Sequence, residues 1–104
     1  MQAVLNKVET TTNAIQQFLS KLENADNIAK NEIENMLVNI GKPAVPELVN
    51  QLQVVQGVKR GVVAMTLIRI GDDSVEYLRK AAKTNKDFEW VAKYLITEIN
   101  GQVA

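Results

Sequence analysis

Cysteine and histidine are both absent from this 104-residue chain. Without cysteine there is no disulfide framework, no zinc ribbon and no thiol nucleophile. Without histidine the commonest general base and transition-metal ligand is gone. A basic excess is missing too, since twelve Lys and Arg balance twelve Asp and Glu for a formal net charge of zero. Proteins dedicated to nucleic acid usually carry a clear positive surplus, so that class is disfavoured. Long apolar runs are lacking. The most apolar stretch, residues 58–70, is interrupted by Lys59, Arg60 and Arg69, and it falls short of the roughly 17–25 residues of a membrane span. The first residues, Met1 to Glu9, hold no basic segment followed by an apolar run, so no signal peptide is expected. The chain therefore reads as soluble and cytoplasmic, without membrane contact. The five glycines, at 41, 57, 61, 71 and 101, are dispersed and form no phosphate-cradling loop.

What is present is helical spacing. Hydrophobic residues make up 46% and charged residues 23%, the balance of one globular domain over residues 1–104. No segment alternates cleanly between apolar and polar, whereas apolar residues recur every three or four positions almost throughout. The spacing predicts six helices. The first covers residues 3–23, with Val4, Val8, Thr11, Ile15, Phe18 and Leu22 on one face. Thr10, Thr11 and Thr12 weaken its middle, and Asn13 with Gln16 can cap a second start, so a break there is an option. The second covers residues 28–40, with Ala29, Ile33, Met36, Leu37 and Ile40 as its stripe and Gly41 ending it at positive φ. Pro43 and Pro46 open the third, whose stripe is Val45, Leu48, Val49, Leu52 and Val55, and Gln56-Gly57 stops it. The fourth, residues 58–70, is apolar nearly all round and should be buried on several sides. Asp72 or Asp73 is expected to cap the fifth, with Glu76 as a capping-box partner and Val75, Leu78 and Ala82 facing inward. The sixth runs over residues 87–99, with Phe88, Val91, Ala92, Leu95 and Ile99 on one face, and Asn100-Gly101 ends it.

The chain repeats itself. Met36-Leu-Val-Asn-Ile-Gly41 and Thr66-Leu-Ile-Arg-Ile-Gly71 stand 30 residues apart, and the match continues from Val45 to Val75 and from Leu48 to Leu78. A weaker third copy sets Ala92 and Leu95 where Ala64 and Leu67 stand, 28 residues earlier. The unit is a helical hairpin ending in Gly, with hairpins at residues 3–40, 43–70 and 73–100. A single hairpin cannot bury both its faces, so neighbours must cover it, and the middle one should be the most apolar.

Ile40-Gly-Lys-Pro-Ala-Val-Pro-Glu-Leu-Val49 resembles the start of a HEAT-type repeat, and Val58-Lys-Arg-Gly-Val-Val-Ala-Met-Thr-Leu-Ile-Arg-Ile-Gly-Asp72 resembles its second helix. The likeness is to the short bacterial HEAT-like repeats first associated with phycobilisome lyases, and it covers residues 33–82. It implies an all-α, short right-handed solenoid of three stacked hairpins that presents a binding surface. It implies no lyase activity, because the repeat serves many non-enzymes.

Few residues carry chemistry. Asp72, Asp73 and Glu76 sit in too short a loop for a cation site, and no metal or cofactor is expected. Arg69 lies in the most apolar helix, so its guanidinium must reach solvent, an acidic partner or a ligand anion. Trp90 and Tyr94, four apart, fall off the main stripe of the last helix. The spacing leaves open whether they pack on the preceding helix or form a partner patch. From Leu52 onward there are eight basic and six acidic residues, against four and six before it, which allows weak phosphate contacts or head-to-tail association. The leading expectation is a non-enzymatic protein–protein interaction module using Trp90, Tyr94 and Lys93, then Arg60 and Arg69. The alternative is a nucleic-acid accessory protein gripping backbone phosphates through its C-terminal half. A homo-oligomer through the first helix or the terminal hairpins is a further option. An enzyme ranks last, since no cluster of carboxylate, Lys or Tyr emerges.

Overall fold

The computed structural model describes the backbone of residues 2–101 and the side chains of residues 10–101. Helix α1 (Gln2–Ser20) leads through a 3-10 turn at Lys21–Asn24 to α2 (Asn27–Ile40). A second 3-10 turn, Lys42–Ala44, opens α3 (Val45–Leu52), and α4 (Gly57–Ile70) follows. Gly71–Ser74 then turns into α5 (Val75–Thr84), and Lys86–Phe88 turns into α6 (Glu89–Gly101). The molecule is all-helical, with no strand among the described residues.

The threonine run does not break α1. Helix propensity separates Thr from better formers by at most about 0.7 kcal/mol per residue, and the burial of Ile15 and Leu19 just beyond it outweighs that. The inward face is centred on Ile15, Leu19 and Leu22, with Phe18 half-buried at its edge. The side chains of Val4 and Val8 lie outside the described residues. Asp26 caps α2, accepting a 2.8 Å bond from the Ala29 N–H. Ile33 and Leu37 enter the core, but Met36, expected among them, is 45% exposed. At about 100° per residue it sits a full step round the helix from Leu37.

Pro46 lies in the first turn of α3, where its missing N–H costs nothing. Val45, Leu48, Val49 and Leu52 are buried. This helix stops at Leu52, four residues before the expected Gln56-Gly57, and Gly57 is instead the first residue of α4, at φ 63°. The expected caps of α5 are absent as well: neither Asp72 nor Asp73 bonds its N-terminus. The preceding 3-10 turn satisfies the backbone directly, with the Val75 N–H donating to the Asp72 carbonyl. Ser74, wholly buried, donates from Oγ to the Leu67 carbonyl at 2.9 Å.

Helix α4 is the centre of the packing. It lies against α2, α3 and α6, while α5 packs on α6 and α3, and α1 touches α2 and α3. Val62, Val63, Thr66, Leu67 and Ile68 are buried between these neighbours. The buried Thr66 hydroxyl returns a 2.7 Å bond to the Val62 carbonyl, so it enters the core satisfied. Burial on several sides is therefore as expected, and one face is left open, where Val58 and Met65 are about half exposed beside exposed Gly61 and Arg69. Among the described residues no helix lies over that face.

Candidate interaction surface

Helix α6 turns Phe88, Val91, Ala92, Leu95 and Ile99 into the core. Trp90 and Tyr94 therefore point outward along the opposite side, one turn apart. Their relative exposures, 70% and 58%, decide between the two readings left open by the spacing: neither ring is packed away. Both line one cavity of about 240 Å³ between α4 and α6. Buried Leu52, Val91 and Leu95 line it from below, and Arg60 and Ala64 of α4 form the facing wall.

Arg60 is half-buried, and among the described residues it makes no ion pair or hydrogen bond. It also lines an adjoining cavity of about 200 Å³ with Gln53, Asn85, Asp87 and Phe88. Asn85 is occupied there by a 3.0 Å bond from its Nδ2 to Gln53 Oε1. A guanidinium offers five donors in a planar fork suited to a carboxylate. Here that fork stands beside two exposed rings and an apolar floor.

The other expected residues are elsewhere. Arg69 joins α4 to α2: its Nη1 donates to Glu34 Oε2 and to Asn35 Oδ1, each at 2.8 Å. Its role in the fold is that of a cross-helix tie, not a member of the groove. Lys93 lines a different cavity, on the flank shared by α5 and α6. The structure thus brings together Arg60, Trp90 and Tyr94, and separates Lys93 and Arg69 from them.

Sequence reasoning passed over Ala64, whose small side chain leaves the space between Arg60 and the rings. Its signal was the match of Ala64 with Ala92. Among the described residues, Ile28, Met36, Val58, Met65, Trp90 and Tyr94 are the exposed large apolar side chains on helices, and all ride on α2, α4 or α6. Val54, the remaining one, lies in the turn after α3. A wider depression of about 510 Å³ beside that turn is spanned by the Lys59–Glu23 ion pair at 3.2 Å, so its cation is already matched.

Among the described residues no three Asp or Glu side chains converge to hold a metal ion, and no helix is long and apolar enough to cross a membrane. No family model, no curated protein and no solved structure matches the chain.

Proposed function

We propose that the chain is a non-enzymatic protein–protein interaction module built as a short right-handed solenoid of the HEAT-like kind, with three hairpins and six helices. The succession α2, α4, α6 on one side and α1, α3, α5 on the other supports the stack. The recurrence of a positive-φ glycine before α3 and before α5 supports the repeat. The binding surface is the α4–α6 groove, and its mechanism is rigid presentation, with preformed walls that lose little conformational entropy on docking.

One observation carries this reading: two aromatic rings stand largely in water over an apolar floor, next to half-buried Arg60, which makes no ion pair or hydrogen bond among the described residues. Exposed aromatics and arginine are the residue types that dominate binding energy at protein interfaces. A phosphate backbone fits less well, because the groove floor is apolar and the net charge is zero.

The test compares capture from a lysate of the source organism by the intact chain, by Trp90→Ala, by Arg60→Ala and by Lys42→Ala as a surface control. A partner retained by the intact chain and by Lys42→Ala, but lost with Trp90→Ala and Arg60→Ala, supports the groove. Retention by all four, or capture of nucleic acid that falls away steeply with salt, overturns it.

A further inference from the structure

A second apolar cleft lies on the flank of α5 and α6 that α4 does not cover. Helix α6 meets α4 on the side of Tyr94, which lines the groove with Arg60 and Ala64. Ile96 comes two residues later, about 200° round the helix, and so faces the other way. There it lines a cavity of about 400 Å³ with Ala82 and Ala92. Within the molecule the corresponding flanks are occupied, since α4 lies on α2 and α6 lies on α4. Helices α5 and α6 have no such neighbour beyond them among the described residues.

The rim of this cleft is basic. Arg79, Lys83 and Lys93 line it with a single carboxylate, Glu89. None of the three cations forms an ion pair among the described residues, although adjacent Lys80 pairs with Glu76 at 3.4 Å. We infer that the cleft docks an acidic amphipathic helix of a partner protein. The small side chains of Ala82 and Ala92 permit a helix to approach closely, since interaxial distance follows the side chains at the contact. Ile96 supplies the apolar contact, and the three cations select carboxylates flanking the incoming apolar stripe. A phosphate backbone has nothing to place on the apolar floor. A second copy of this chain is the poorer match: on α2, the face opposite Glu34 presents Ile28 and Met36 with one carboxylate, Glu32, between them, against three cations on the rim.

The experiment titrates the isotope-labelled full chain with a synthetic helical peptide of about 16 residues, long enough to populate a helix. The peptide carries Leu along one face and Glu on both flanks, and a counterpart carries Lys in place of each Glu. The expected result is that the Glu peptide shifts the amide signals of Ala82, Ala92 and Ile96 and leaves those of Trp90 and Tyr94 in place. Arg79→Glu with Lys83→Glu should weaken it about tenfold, and so should Ile96→Asp. The charge-reversal pair is exposed, so it keeps the fold intact should Ile96→Asp unfold the chain. Trp90→Ala should leave this titration unchanged, which separates its outcome from that of the groove. The inference is overturned if the Lys peptide binds equally well, if no signal shifts, if a duplex oligonucleotide binds there more tightly than the peptide, or if the same signals move with chain concentration because two copies associate.

Discussion

Gly41 and Gly71, thirty residues apart, adopt the same backbone conformation: φ 75° with ψ −142° at the first, φ 88° with ψ −138° at the second. Each receives the chain from a long helix, its N–H bonded back to the carbonyl of Leu37 or Leu67. Each then passes it through a short 3-10 turn into a helix that begins with Val45 or Val75. This region of backbone space is open to glycine and strained for other residues.

Gly41→Ala and Gly71→Ala should each destabilise the fold by about 1–3 kcal/mol. Gly61→Ala should have the opposite sign. Gly61 lies inside α4 at an ordinary helical φ, and an added Cβ would meet nothing within 4 Å. Its gain should be about 0.5–1 kcal/mol, from helix propensity and a less free unfolded chain. Urea denaturation of the three variants reads all three signs.

The caps make a second contrast. Asp26→Ala removes the acceptor of a 2.8 Å bond at the start of α2 and should cost about 1 kcal/mol. Asp73→Ala removes nothing that holds α5 and should stay within about 0.5 kcal/mol of the parent. Thermal melting by circular dichroism distinguishes them. An equal loss at Asp73 would mean that its carboxylate does cap α5 in solution.

Arg69→Ala should cost about 1–2 kcal/mol, more than an exposed ion pair usually does, because it strands Glu34, whose side chain is only 18% exposed. Glu34→Gln should recover part of that loss in the Arg69→Ala background. A double-mutant cycle followed by chemical denaturation checks the coupling.

On α6 the outward and inward residues should separate stability from binding. Trp90→Ala should stay within about 0.5 kcal/mol of the parent, whereas Leu95→Ala, which empties a buried site, should cost about 2–5 kcal/mol. Differential scanning calorimetry on both variants tests this. A large drop in Tm for Trp90→Ala would place its ring in the core and remove the groove from consideration.

Much of the helical layout could be read from residue order alone. The stripe Phe88, Val91, Ala92, Leu95, Ile99 appears intact in the core, as do Val45, Leu48, Val49 and Leu52. Gly41 and the Leu37 and Leu67 positions were equally legible, because spacing and backbone demand act within a few residues. The departures have two causes. Met36, Met65 and Val58 are apolar and lie at helical spacing, yet they face water because none of the described elements is stacked on that side. Asp72 and Asp73 look like caps, but a 3-10 turn had already paired the backbone.

The candidate groove was half legible. Trp90 and Tyr94 fall off the α6 stripe by simple counting, and that is a local property. Their association with Arg60 and Ala64 is not, since α4 and α6 are about thirty residues apart in the chain. Nor does residue order tell Arg69 to reach Glu34 or Lys93 to line the opposite flank. Periodicity and glycine chemistry are written residue by residue, so they settle which helices form and which face each turns inward. Which cations find partners, and which apolar faces stay bare, depends on which helices come to lie side by side, and that follows only from the joint packing of all of them around α4.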